Sequence, residues 1–342
     1  MNTCNGECEK RLLKWFKSWL FGRTQRVIFE GQSSDVCHVT SGVPQGTVLG
    51  PLCFLIYIND IADNLSHDTH LKLFADDSLI FRAISNIHDS ITLQQDIDSL
   101  WKWADTWQMK FHPSKCQVMT VCRKKKPHQH DYDMQGHRLS HVDSIQYLGV
   151  NIQNNLQWNK HIHQITSKAN RTLGFIKRNL HQCPPNVKSL AYISLVRPQL
   201  EYAHTTWDPH LKGQVKQIEQ VQRRAARFVT GTWSREEGCV TKALEELQWQ
   251  PLHARRKEAR LVQMYRIVNG HTTTIPIPPY FRPQQNNYST RNMHTNKFTK
   301  PHTNTDTYKF SFFPRTICDW NRLPNEMLHK LSPESFRDAL TY

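Results

Sequence analysis

Apolar residues at 12, 13, 16, 19 and 20 recur at helical spacing, and Gly22 ends that helix. Gln25–Phe29 and Val36–Val39 read as short extended pieces. They lead into Ser41-Gly42-Val43-Pro44-Gln45-Gly46, too rich in turn residues for any regular element. Thr47–Ile61 is apolar on nearly every side, which predicts a buried helix. In Leu71–Phe81, two short apolar arms flank Ala75-Asp76-Asp77-Ser78, the pattern of a β-hairpin with acids at its tip. The apolar arms predict that these acids are buried. An amphipathic helix is expected over Ile91–Met109, with Trp103 and Trp107 in the core. Strands are expected over Cys116–Cys122, running into the basic run 123–126, and over Ile145–Ile152.

From about residue 159 to 269 the pattern turns helical, with candidates at His161–Leu180, Asn186–Tyr202, Gly213–Val229 and Val240–Val268. Gln222–Arg227 and His253–Arg260 each concentrate positive charge on a helix. His161 and His163, two apart on a helix, read as solvent or phosphate contacts. Pro276–Pro283 reads as a linker and Asn286–Thr307 as irregular; there is no internal repeat.

Composition narrows the class. The longest apolar run, Pro51–Ile58, is far short of a membrane span, and no secretory signal is visible, so an intracellular protein of the nucleus or cytoplasm is expected. Nine scattered cysteines, an odd number, argue for reduced thiols. Net charge is +15, unevenly spread: −2 over residues 1–120, +12 over 121–260 and +5 over 261–342. A near-neutral front and a basic remainder point to site chemistry in front and polyanion binding behind, with nucleic acid the natural polyanion.

Asp76-Asp77 is the sharpest candidate site. Adjacent acids at a hairpin tip can approach one cation, and Mg²⁺ binds nucleotide phosphates through one or two carboxylates plus waters. The alternative is a solvated turn, in which Asp is common. Gly42 and Gly46, bracketing Pro44-Gln45, allow either close backbone approach by a flat ligand or simply a tight turn before the next helix. Cys116, Cys122, His128 and His130 do not have a usual zinc spacing.

The order of these features is a resemblance in itself. Ser41–Ile61 (SGVPQGTVLGPLCFLIYINDI), Leu73–Phe81 (LFADDSLIF), Trp107–Cys116 (WQMKFHPSKC) and Tyr147–Val150 (YLGV) together resemble the reverse transcriptases of non-LTR retrotransposons. KANRTLGF, SLVRPQLEYA, WDP and QRRAARFV in the helical part, and Phe312–Pro324 near the end, resemble the region C-terminal to the polymerase in CR1- or jockey-like elements. The resemblance implies an α+β fold: a partial polymerase palm of antiparallel strands with packed helices (1–122), primer-grip strands (123–158), an α-helical thumb (159–270) and a small C-terminal extension (271–342). It implies that Asp76 and Asp77 hold Mg²⁺ or Mn²⁺, and that Gly42, Pro44, Gln45 and Gly46 line the template and incoming deoxynucleotide. By the same resemblance Lys115 protonates the leaving pyrophosphate, Leu148 and Gly149 belong to the primer grip, and Arg223, Arg224 and Arg227 hold the backbone of an RNA template and DNA primer.

One departure is clear. The family carries a further aspartate on a palm strand upstream of the Ser41 segment, whereas residues 1–11 have no Asp and no strand pattern, only Glu7 and Glu9. The chain is therefore expected to be the C-terminal part of a longer reading frame. Two functions fit that expectation: a reverse transcriptase fragment, or a nucleic-acid-binding remnant without polymerase activity.

Overall fold

A computed structural model describes residues 3–122, 124, 130–234, 236–272, 275, 278, 281 and 297–341. The chain divides into two compact units, Met1–Val118 with Lys126–His141, and Met119–Lys125 with Val142–Tyr342. Helices and strands are mixed in the first; helices dominate the second.

The first unit opens with helix α1 (Thr3–Leu20), then two small antiparallel pairs, β1 (Thr24–Gln25) with β4 (Cys37–His38) and β2 (Ile28–Phe29) with β3 (Gln32–Ser33). Helix α2 (Leu49–Ile58) follows, then the hairpin β5 (Thr69–Phe74) and β6 (Asp77–Arg82), and helix α3 (Ile87–Thr106). Short strands β7 (Gln117–Val118), β8 (Asp133–Met134), β9 (His137–Arg138) and β10 (Ser140–His141) complete it, with β7 and β10 parallel. The basic run 123–126 falls almost wholly outside the described residues, as does His128.

Helix α3 begins at Ile87, earlier than its apolar spacing predicts, because Asn86 and Asp89 form a reciprocal capping box. Backbone N–H groups of Ser85 and Asn86 hold the Asp89 carboxyl below its ordinary value. Further along α3, Trp103 is buried and donates from Nε1 to Asp60 at 2.9 Å. Trp107, at the helix end, is exposed, with its ring against Tyr57 and tilted toward Trp103, so it is not the core residue its spacing predicts.

Helix α2 corrects a second expectation. Only one stripe of it, Phe54, Ile58 and the following Ile61, packs on Leu100 and Trp103 of α3 and on the hairpin residues Leu71 and Ile80. Leu52, Leu55 and Ile56 are exposed. An all-round apolar helix is buried only where elements cover every face, and α3 with the hairpin covers one.

In the second unit, the single strand expected over Ile145–Ile152 is a hairpin of β11 (Ser144–Tyr147) and β12 (Val150–Gln153). Leu148 and Gly149 both have positive φ (45° and 79°), the pairing typical of a tight two-residue turn between twisted strands. Helix α4 (Asn159–Asn179) buries Ile162, Ala169, Leu173 and Ile176 in a core shared with Val196, Leu200, Trp207, Ile218 and Val221. The run expected as one helix over Asn186–Tyr202 becomes α5 (Pro185–Ala191), a π-turn at Tyr192–Val196, and α6 (Arg197–Glu201). Pro198 has no N–H to offer the i−4 carbonyl, and the Arg197 N–H reaches back to Tyr192 instead.

After α7 (His204–Trp207) and α8 (Lys212–Thr230), the predicted long helix is broken into α9 (Cys239–Glu246) and α10 (Leu252–Val268). Gln248 at φ 54° and Pro251 make the break. The C-terminal helices α11 (Asp306–Lys309), α12 (Phe312–Trp320), α13 (Asn325–Leu328) and α14 (Pro333–Thr341) then pack on the far end of α10 through Ile317, Trp320 and Phe336. Most of the expected linker 276–283, and residues 286–296 of the irregular stretch 286–307, lie outside the described residues; Phe298, within that stretch, is buried in this second core.

The basic stretch of α10 is not a solvated face. Arg256 and Arg260, one turn apart, are buried, and their Nε atoms each meet a different oxygen of buried Asp208 at 2.9 Å. Arg315 of α12 reaches the same carboxylate at 3.0 Å, and Arg260 also reaches Asp319 at 3.1 Å. Arg255 is paired with Glu201. His161 is also misread by spacing: it is buried, accepts the Asn151 N–H at 3.2 Å, and sits edge-on to Trp207. Burial lowers its pKa to about 4. His163 is exposed, as expected. The described cysteine side chains are free thiols, and no described helix is long and apolar enough to cross a membrane.

Asp208→Asn leaves buried guanidiniums without their counter-charge and is expected to cost about 3–5 kcal/mol, read from urea unfolding. The unfolded chain protonates His161 near 6.5 and the folded chain near 4, so its contribution is complete above pH 6.5 and is lost as pH falls toward 4. That loss amounts to roughly 3 kcal/mol. Thermal unfolding across this pH range should have a shallower slope in His161→Gln.

Candidate functional site

The acidic tip is built by strand register. Phe74 pairs with Asp77, leaving Ala75 and Asp76 as a two-residue turn. Ala75 has φ 49°, a left-handed conformation that costs a non-glycine residue about 1–2 kcal/mol. Asp76 and Asp77 are both exposed, correcting the expectation of burial. Of the apolar residues in the arms, Leu71 and Ile80 pack in part on the α2–α3 core and Leu79 is partly buried, while Leu73 and Phe74 beside the tip are exposed. Among the described residues, no Lys, Arg or His forms an ion pair with either carboxylate. Of the hairpin's basic residues, Arg82 lies at its root, 3.7 Å from Asp89 and 3.9 Å from Asp68, and Lys72 of β5 stands opposite Leu79, exposed.

The Ser41–Gly46 turn has no regular structure, with Gly42 and Gly46 both at φ 75°. Arg23 donates to the Gly42 carbonyl, and Thr47 Oγ1 donates to the Pro44 carbonyl at 2.9 Å while accepting the Gly50 N–H at 3.1 Å. A side chain at Gly50 would come within 3.0 Å of the Pro44 carbonyl, so this glycine lets the turn close onto the start of α2. Pro44 is partly buried, and Gln45 is exposed with its side chain unengaged. No hydrogen bond or ion pair among the described residues joins this turn to the acidic tip. Lys115 ends a single 3₁₀ turn, exposed and without an ion pair among the described residues.

The remaining candidates lie in the second unit. Leu148 and Gly149 form the β11–β12 turn, and Tyr202, just past α6, covers it: its hydroxyl donates to the Leu148 carbonyl at 3.0 Å. A Cβ on Gly149 would lie 3.1 Å from the Tyr202 ring. Sequence patterning gives no sign of this partner, because it is more than fifty residues away. Arg223 and Arg224 occupy the exposed face of α8, opposite Val221, Ala225 and Ala226, and Arg227 is partly buried. Arg224 donates to Asn170 at 3.1 Å, and none of the three is in an ion pair among the described residues.

Comparison with known proteins bears on this arrangement. Residues 4–152 match the family described as reverse transcriptase (RNA-dependent DNA polymerase). The match spans a little under half of the chain. Over 227 residues the chain is 26% identical to the RNA-directed DNA polymerase from mobile element jockey of Drosophila melanogaster, covering 63% of this chain and 24% of that protein. Over 222 residues it is 26% identical to the probable RNA-directed DNA polymerase from transposon X-element of the same organism, again covering 63% and 24%. A third relative, the probable RNA-directed DNA polymerase from transposon BS, is 25% identical over 227 residues. The chain spans about a quarter of the length of the curated relatives it matches.

The matched segment contains the Ser41–Gly46 turn, the acidic tip, Lys115 and the β11–β12 hairpin as far as Ile152. Its donor set can be weighed against a divalent ion. No cluster of three or more Asp, Glu, His or Cys side chains occurs among the described residues. Two adjacent exposed carboxylates suit one Mg²⁺ that takes its other ligands from water and phosphate, but not a bridged pair of ions.

Gly149→Ala combines a left-handed backbone with a clash against Tyr202, so it is expected to cost about 1–3 kcal/mol in urea unfolding. In a Tyr202→Ala background the cost should shrink to the backbone part.

Proposed function

We propose that this chain is part of a retrotransposon polymerase that copies RNA into DNA, with residues 1–122 as palm, 123–158 as primer-grip strands, 159–270 as a thumb-like nucleic-acid-binding region and 271–342 as a C-terminal extension. The observation that carries the reading is the acid-only hairpin tip, exposed and unneutralised, inside the segment that matches the reverse transcriptase family. In the reaction a primer 3′-hydroxyl attacks the α-phosphate of a deoxynucleotide and pyrophosphate leaves. Asp76 and Asp77 would hold Mg²⁺ or Mn²⁺, which supplies charge stabilisation to the phosphoryl oxygens when bound. Gly42 and Gly46 let the backbone approach the template base and incoming nucleotide, with Pro44 and Gln45 between them. Lys115, exposed and unpaired, is free to donate a proton to the departing pyrophosphate. Leu148 and Gly149 would position the primer end. Arg223, Arg224 and Arg227 would contact phosphates without reading sequence.

A second reading, nucleic-acid binding without synthesis by this 342-residue chain alone, is favoured by one observation. The described carboxylates at the tip are two neighbours on one turn, whereas two-metal transfer needs ligands that bridge both ions and place the reacting oxygens. The unmutated chain is expected to bind RNA and DNA with little sequence preference and steep salt dependence, and to give no primer extension on poly(rA)/oligo(dT) with Mg²⁺ or Mn²⁺. Neutralising Arg223, Arg224 and Arg227 together should flatten the slope of log K against log salt by about 2–3. Extension that Asp76→Asn with Asp77→Asn abolishes would establish synthesis and overturn the second reading. Absence of nucleic-acid binding would overturn both.

A further inference from the structure

A cluster of cations and rings lies where α4, α5 and α8 end. Lys177 is in the last turn of α4, Lys188 in that of α5, and Phe228 in that of α8. Lys177 Nζ is 5.9 Å from the Phe228 ring centre and 5.8 Å from that of Trp233, and Lys188 Nζ is 5.1 Å from Phe228. Arg224 is close enough that its charge, after burial, contributes to lowering the Lys177 pKa. No carboxylate pairs with Lys177, Lys188 or Arg224 among the described residues. Phe228 is buried and serves as the floor, but Trp233 is 67% exposed.

Trp233 is held there by its loop. Gly231 at φ 69° turns the chain out of α8, and Thr230 Oγ1 donates to Thr232 Oγ1 at 3.0 Å and accepts the Thr232 N–H at 3.4 Å. On the other side, the Ser234 carbonyl accepts from the Cys239 thiol at 3.1 Å. A large ring presented on a pinned loop loses little freedom when a flat ligand covers it. Lysines in last helical turns also favour the helix dipole, which accounts for their charge but not for an exposed indole among them. An exposed indole with Lys177 at its ring, and with Lys188 and Arg224 in the cluster that Lys177 and Phe228 join to it, suits a nucleobase with its flanking phosphates.

We propose that Trp233, with Lys177, Lys188 and Arg224 around it, is a stacking platform for an unpaired base of single-stranded RNA or DNA, the three cations taking the adjacent phosphates. This rests on the nucleic-acid reading of the chain and adds to it a residue, a site and a strandedness. The test uses the full chain with fluorescein-labelled oligo(dT) and oligo(rU), and a duplex of equal length. Trp233→Ala should weaken single-strand binding on the order of tenfold while leaving the salt slope unchanged, because stacking carries no charge. Trp233→Phe should restore most of the loss, and duplex affinity should barely move. Lys177→Gln with Lys188→Gln should instead lower the single-strand salt slope by about 1.4. Unchanged single-strand affinity in Trp233→Ala, or an equal loss on single strand and duplex, overturns the platform while the general reading stands. No binding by the unmutated chain overturns the nucleic-acid reading itself.

Discussion

Asp208 is the point on which the helical unit turns. It follows Trp207, which is buried in one hydrophobic core, and its carboxylate receives Arg256 and Arg260 from α10 and Arg315 from α12. Toward its N-terminus, α10 contributes Leu252 to that first core; toward its C-terminus it contributes Leu261, Met264 and Tyr265 to the second. The charged network thus sits where the two cores meet along one helix. Replacing one partner is costly, yet an intact buried ion network contributes little more than well-packed apolar residues would. Its Arg256 Nη atoms are buried without hydrogen-bond partners, a further cost of about 1–3 kcal/mol each. The network's main consequence is geometric: α7, α10 and α12 can meet in only one register if three guanidiniums are to share one carboxylate.

That constraint also changes where the positive charge of the chain is found. Residues 121–260 carry a net +12, but a sum does not say which cations face solvent. On α8 the apolar stripe is complete without the arginines, so Arg223 and Arg224 are left on the outer face and unpaired. On α10 the arginines are themselves part of the packed face, and Arg255, Arg256 and Arg260 are neutralised by Glu201, Asp208 and Asp319. Among the described residues, cations outside any ion pair therefore stand on α4, α5 and α8, whereas Arg255, Arg256 and Arg260 of α10 are held in pairs.

How much was legible follows the range of each interaction. The Leu71–Phe81 hairpin was readable because alternation and a turn are local, and its arms and tip stand where the pattern puts them. The start of α3 departs from the apolar spacing because Asn86 and Asp89 cap it, a local signal that the periodicity does not carry. The breaks at Tyr192–Val196 and before α10 were signalled by Pro198 and Pro251, which the helical periodicity outweighed. The burial of His161 beneath Trp207, the Tyr202 cover over Gly149 and the Asp208 network depend on partners roughly fifty residues apart, which no local pattern encodes.

The tip of the first hairpin obeys the opposite logic from the Asp208 network. Buried Asp208 is saturated with cations and fixes structure, whereas exposed Asp76 and Asp77 form no ion pair among the described residues. Ala75 beside them is held in a left-handed turn that glycine would occupy with less strain. A turn selected for stability alone would carry glycine at the strained position and would not set two like charges side by side. Strain together with uncompensated charge at one exposed point fits the role proposed for the tip, because two neighbouring carboxylates suit a hard cation carrying phosphate.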